Sequence, residues 1–437
     1  MLPAEQAVAR SKRGAVTAGL SIRHVGLIAC CCATAGIPAA MIVSTPGIFY
    51  PVVADELGVQ TAEISAWMSV AMLSSALFSP LMGNVIGRVN LRPLALSCVI
   101  AAAIAMLAFS VATASWLFWL AGVAAGYSLV GCLSLVPAIL VNRWFARHVG
   151  FLLGLYTAFT GIGGVVFLLV GQAAIDAVGW RATYQLFAVI TLVVCVPLVL
   201  AFARETPESC GLLPYGAHAG AGAQPASPDM VSESDRASIR LEVRAAYRTA
   251  LFWAVIAFGF LINLVCQTNG YFPKYVNWVN EQAAAGLVPM AFLAGAVLSS
   301  FAQAGNALGK IGLGAYSDFS VRQAIVLLVG AGMGGTLLVW QLPATPGLAV
   351  GGLVFGFFLA GVLVLVPMVV RYLYGSGPVY PLLYSRVSVA PTLGGAVGNI
   401  VWPWMADNLG GFDAVFATAL ACMAVILAIG LVVCRNR

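Results

Sequence analysis

An all-α membrane protein, with twelve transmembrane helices in two pseudo-symmetric halves of six, is the fold class this sequence predicts, and three observations lead there. The 437 residues are 61% hydrophobic and only 8% charged, with a mean hydropathy of +0.98, more apolar than a soluble chain of this length sustains. Apolar runs of spanning length recur along the chain with the charges between them, the pattern of helices rather than of a barrel's short alternating strands. The net charge of +6 comes from cations dispersed at the run ends, so it marks topology and not a nucleic-acid surface.

The twelve runs fall at approximately 25–47, 64–86, 93–113, 115–141, 149–174, 182–203, 249–271, 287–316, 323–342, 346–370, 379–405 and 412–434. They divide the chain into an N-terminal tail (1–24), a first six-helix half (25–203), a central loop (204–248) and a second half (249–434). The first run follows Arg10, Lys12, Arg13 and Arg23 but exceeds signal-peptide length and lacks a cleavage pattern, so it reads as a retained span. In the central loop, Gly216 to Pro228 reads as a flexible linker, and Glu233 to Arg248 as a short amphipathic helix at the membrane surface.

Cations are retained on the cytoplasmic side, which sets the orientation. With both termini cytoplasmic, Arg88, Arg92, Arg143, Arg147, Arg204, Arg236 to Arg248, Arg322, Arg371, Arg435 and Arg437 fall inside, and Arg181 and Lys274 are left outside. A multi-pass protein of the cell membrane is therefore expected. Tyr50, Trp402 and Trp404 near the outer boundary read as interfacial anchors. Cys98, Cys132, Cys195, Cys266 and Cys422 lie inside apolar runs as small hydrophobes, and Cys30, Cys31 and Cys32 lack metal-ligand spacing.

The stretch Gln303 to Asp318 places one lysine inside an apolar run. Lys310 stands eight residues before Asp318, ~12 Å along a helix and near the middle of a hydrocarbon layer about 30 Å thick. Gln303, Asn306 and Lys310 share one helical face with Gly314 a turn further on, a stripe that requires a wet cavity or protein against it. Arg386 falls ~16 Å into the eleventh run if that helix starts near Gly375. No Asp or Glu accompanies either cation, and each intramembrane cation is disfavoured by about 2.5–3.5 kcal/mol unless something offsets it. An anion between two such charges supplies the offset. A lone gate pair of Lys310 with Asp318 is beyond comfortable reach, and Arg386, with apolar helical neighbours, has a second reading as a cation snorkelling to the cytoplasm.

Asn263 and Gln267, with Tyr271, run along one face of the seventh span, and Tyr127 lies with Ser134 on the fourth. They are candidate carboxylate donors or, equally, helix-to-helix hydrogen bonds.

Two loop segments echo each other. Gly83-Asn-Val-Ile-Gly-Arg-Val-Asn-Leu-Arg92 follows the second span, and Gly314-Ala-Tyr-Ser-Asp-Phe-Ser-Val-Arg322 the eighth. Here the chain resembles the major facilitator superfamily, whose loop motif runs Gly-x-x-x-Asp-Arg-x-Gly-x-Arg. The first copy keeps Gly83, Arg88 and Arg92 with Gly87 in place of the aspartate; the second keeps Gly314, Asp318 and a shifted Arg322. The resemblance implies a gating role for these positions, while Arg88 and Arg92, without an acid, also read as positive-inside anchors. Thr45 to Pro51 ahead of Glu63 to Trp67, Trp144 to Gly154, and Arg204 to Pro214 resemble segments of the oxalate/formate antiporter and monocarboxylate transporter families. Those families place an arginine where Lys310 stands, and the first places a lysine after a Tyr-x-x-x-Tyr pattern, here Tyr380 and Tyr384, one position beyond Arg386.

The resulting expectation is a secondary transporter of a small mono- or dicarboxylate, working by alternating access as exchange or facilitated diffusion. The alternatives are a proton-coupled monocarboxylate symporter, an exporter of another small solute, and a transporter-like receptor. The monocarboxylate transporters are similar in having a first-helix lysine and an eighth-helix aspartate, and neither has a counterpart here. No catalytic pairing, metal cluster or phosphate loop is read, so neither an enzyme nor a cofactor is expected. The expected partners are the small anion and the lipid bilayer, with no nucleic acid, and the chain is expected to act as a monomer.

Overall fold

Helix follows helix because backbone amides and carbonyls in lipid must find partners within their own segment. The computed structural model describes residues 20–86, 89–216, 233–285, 295–343, 346–409 and 411–435. The spans are α1 (Ile22–Ser44), α2 (Thr61–Ile86), α3 (Leu91–Val111), α4 (Ser115–Trp144), α5 (149–178), α6 (180–202), α7 (Ala250–Tyr271), α8 (Gly295–Ser317), α9 (Val321–Gln341), α10 (Gly347–Tyr374), α11 (Tyr380–Val387 continued by Val389–Asn408) and α12 (Gly411–Arg435). α5 and α6 run on as Val149–Phe202 and reverse at Gly179, whose φ of 81° only glycine adopts freely. Among the described residues nine helices are long and apolar enough to cross a membrane, one of them this double span. α8, whose polar stripe lowers its hydropathy, and α11, broken at Ser388, complete the twelve.

The spans alternate in direction, so the start of α1, the ends of α6 and α12 and the start of α7 share one face with the central loop, here the linker face. At that face Arg143 pairs with Glu205 at 2.7 Å, the Trp144 indole donates to the Arg204 carbonyl, and Phe145 bridges to Tyr215. At the opposite face Arg181 donates Nη1 to the Ser110 and Ala112 carbonyls at 3.0 and 2.9 Å, closing the C-terminus of α3, and Nε to Glu56. Within the halves, small residues bring helices close and aromatic pairs fill the rest, such as Phe49 stacked on Tyr184 and Phe272 against Phe355.

Several boundaries differ from the sequence expectation. α1 begins at Ile22, α4 runs to Trp144, and two further helices, Pro46–Leu57 and Phe272–Ala284, extend α1 and α7 where hydropathy falls. Both open on a proline in the first turn, where its missing amide costs nothing. Trp402 is not an interfacial anchor: it is fully buried and its indole donates to the Leu264 carbonyl, whereas Trp404 is exposed. Glu233–Tyr247 is the expected helix, and the expected flexible linker lies largely outside the described residues. Pro38 sits in a wide π-helical turn of α1 (Ala35–Ala39), and similar turns interrupt α4 at Val130–Ser134 and α6 at Thr191–Cys195.

Replacing Arg181 by Ala strands the α3 carbonyls of Ser110 and Ala112. A loss of about 1–3 kcal/mol is expected, read as an apparent Tm lower by about 2–6 °C in detergent, with Arg181→Lys intermediate.

Candidate functional site

The two halves meet along two long seams, α5 against α8 and α2 against α11. Glycine makes the first seam possible. A Cβ at Gly154 would run into the Lys310 carbonyl, and one at Gly150 into the Gly314 carbonyl and the Ser317 hydroxyl, so backbone meets backbone there. Asp318, at the end of α8, accepts the first free amides of α5, Gly150 N–H on Oδ1 at 2.7 Å and Phe151 N–H on Oδ2 at 2.9 Å. A carboxylate across a helix N-terminus satisfies orphan donors and the helix dipole together. Asp318 thus caps α5 and makes no ion pair with Lys310, as the eight-residue separation required.

Lys310 lies above this cap, 6% exposed. Its Nζ donates to the Thr160 hydroxyl at 3.0 Å and to the Thr157 carbonyl at 3.3 Å, both on α5. Gln303, seven residues back, points within about 20° of the same azimuth yet is exposed. The matching line on α5 behaves the same way: Gly150, Gly154 and Thr157 are buried, then Gly161 and Val165 are exposed. The seam is therefore closed from the linker face up to Lys310 and splayed beyond it, with Lys310 at the vertex. Asn306 donates to Gln303 at 3.2 Å, and its own Oδ1 is buried without a partner.

On the second seam Arg386 donates Nη2 to Asn84 of α2 at 2.7 Å, and its Nε is buried without a partner. It stands nearer the linker face than the sequence expectation, because Gly375, at φ 73°, ends α10 and α11 begins only at Tyr380, leaving Arg386 ~9 Å into the helix. Beside it Ser79 donates to the Ser385 carbonyl, and Gly83 leaves room for the Ser385 hydroxyl. Between the seams Asn142 of α4 receives Arg371 on Oδ1 at 2.6 Å and donates to the Tyr380 hydroxyl at 3.1 Å. These contacts, too, lie on the linker side.

The two expected cations thus stand on separate seams rather than in mutual contact, and neither has an acidic partner among the described residues. Asn263 donates to the Pro391 carbonyl and receives Gln267, tying α7 to α11. Tyr127 shares a hydrogen bond with Ser97, and Tyr384 is buried and stacked on Tyr380. Arg92 reaches the Ala203 carbonyl, Arg322 is exposed, and Arg88 lies outside the described residues. Sequence reasoning missed Thr157, Thr160 and Asn142. Thr157, seven residues after Gly150, shares its face of α5, whereas Thr160 stands about 60° round from Thr157 and carried no such signal. A cavity of about 660 Å³ between α1 and α5, lined by Ile28, Leu152, Phe159 and Val166 and by His24, is almost wholly apolar.

Asp318→Ala removes the acceptor for the Gly150 and Phe151 amides. Losing charge-assisted bonds of about 1.5–3 kcal/mol should speed hydrogen exchange across 149–156 about tenfold or more by mass spectrometry, with Asp318→Asn less affected.

Comparison with known proteins completes the picture. Residues 32–370 match the model of the Major Facilitator Superfamily. No curated protein sequence matches. Solved structures share the fold: the E. coli fucose:proton symporter FucP (TM-score 0.64, 15% identity, covering 93% of this chain and 98% of that one), the proton:xylose symporter XylE bound to 6-bromo-6-deoxy-D-glucose (0.67, 12%, 94% and 94%) and the human organic anion transporter MFSD10 (0.65, 14%, 93% and 99%). With twelve spans, two facing halves and a matched family model over most of its length, the chain belongs to the Major Facilitator Superfamily and is a multi-pass membrane transporter, not an enzyme.

Proposed function

We propose that the protein carries a small organic anion, a mono- or dicarboxylate, by alternating access, as exchange or facilitated diffusion. The observation that carries this reading is Lys310: a buried ammonium at the vertex between the halves, held by a hydroxyl and a carbonyl and, among the described residues, by no acid. An intramembrane cation costs about 2.5–3.5 kcal/mol, and neutral acceptors offset that less well than a carboxylate does. Gln303 and Asn306 extend the polar line from Lys310 into the splayed part of the seam, and Arg386 supplies a second charge. Among the similar structures, MFSD10 is described as an organic anion transporter, whereas FucP and XylE are sugar symporters. A sugar requires no unopposed cation.

In this reading the linker face, with its excess of cations, is cytoplasmic, both termini lie there, and the membrane is the cell membrane. The conformation described is then closed to the cytoplasm. Gly83, Gly314 and Asp318 serve the gate, while Arg88, Arg92 and Arg322 anchor the cytoplasmic side. The partners are the anion and the bilayer, and the working unit is a monomer.

Counterflow of labelled oxalate, formate, lactate and pyruvate in proteoliposomes tests the reading. The parent should accumulate label against unlabelled carboxylate, Lys310→Gln should lower the rate about tenfold or more, and Arg386→Gln should lower it less. Full rates in both variants would remove the assigned site.

A further inference from the structure

We propose that Thr160 is the coupling residue of this carrier: it holds the Lys310 ammonium while the site is empty, and the transported anion must take its place before the linker face opens. The inference rests on the anion-carrier reading above. Three features of the seam lead to it. First, both groups that satisfy the ammonium, the Thr160 hydroxyl and the Thr157 carbonyl, belong to the opposite half of the molecule. Second, the Thr160 hydroxyl donates its own proton to the Thr157 carbonyl at 2.7 Å, so a lone pair is presented to Lys310 in a preset direction. Third, the backbone contacts of Gly150 and Gly154 with α8 lie on the linker side of this bond, on the surface that must part when access alternates.

Parting α5 from α8 in the empty carrier takes both acceptors from the ammonium before water enters from the linker face, the costly way to break a charged hydrogen bond. A bound carboxylate supplies the missing acceptors from within the site and moves with the ammonium. The empty carrier therefore returns slowly and the loaded one quickly, which makes transport an exchange of one anion for another. A neutral solute gives no such relief, so the same bond discriminates against uncharged cargo.

The test uses full-length protein in liposomes, with Thr160→Val, Thr160→Ala in case valine is rejected at the seam, and Thr160→Ser, which keeps the hydroxyl. Hydrogen exchange across 149–156, without substrate, reports opening of the linker face. Labelled oxalate and lactate report the ratio of counterflow to net efflux. Loss of the hydroxyl should raise the amide exchange about tenfold and lower the flux ratio by a similar factor, with Thr160→Ser like the parent. Unchanged amide exchange and an unchanged ratio in both Val and Ala variants would overturn the proposal. Should the parent carry neither anion, the transport reading fails by itself, and the amide exchange still decides whether Thr160 latches the seam.

Discussion

A single ammonium group organises this protein. Lys310 stands where the α5–α8 seam changes from closed to splayed, and it is held there by two neutral oxygens of the facing half. In a hydrocarbon layer such an arrangement is tolerated because the charge is spread over acceptors and shielded by packed helices. The small residues below it have a related purpose. They let α5 and α8 approach until backbone touches backbone, so that a side chain as long as lysine reaches across and is buried to its tip. Closure of the linker face and satisfaction of the charge are thus one event.

The closure is uneven between the halves. On the α5–α8 seam a true carboxylate, Asp318, caps the opposing helix. In the sequence Gly87 stands where the first motif copy would have its acid, and the contacts described on the α2–α11 seam are those of Arg386 with Asn84 and of Ser79 with Ser385. The Arg386–Asn84 bond is charge-assisted, as the Asp318 cap is, whereas the Ser79–Ser385 bond joins neutral groups. Asn142 joins them on the linker side, since one side chain binds both Arg371 and Tyr380 of the other half.

Much of this was legible in the sequence, for reasons that differ from element to element. The twelve spans follow from hydrophobic run length, which the bilayer dictates directly. The Gln303–Asn306–Lys310 stripe was visible from helical spacing, and so was the pairing of Gly314 and Asp318 at the helix end. The identity of Lys310's partners was not, because threonine in an apolar helix ordinarily bonds to its own backbone and carries no signal of a second bond to a neighbour. Depth along α11 was misjudged for a local reason: Gly375 and Pro378 form a turn rather than a first helical turn, which moves Arg386 towards the linker face. The helices Pro46–Leu57 and Phe272–Ala284 escaped a hydropathy reading since they lie beyond the apolar runs.

Family membership leaves the cargo open, since carriers of sugars and of organic anions share this fold. In the reading proposed here the difference lies in Lys310, whose charge favours an acid over a neutral solute. Thermal stabilisation of the purified protein by oxalate and lactate, set against their uncharged amides and against fucose and xylose, measures that difference most directly. The account predicts that the acids raise the Tm, that the amides and sugars do not, and that Lys310→Gln abolishes the effect. Equal stabilisation by a sugar, or an acid response that survives in Lys310→Gln, would contradict it.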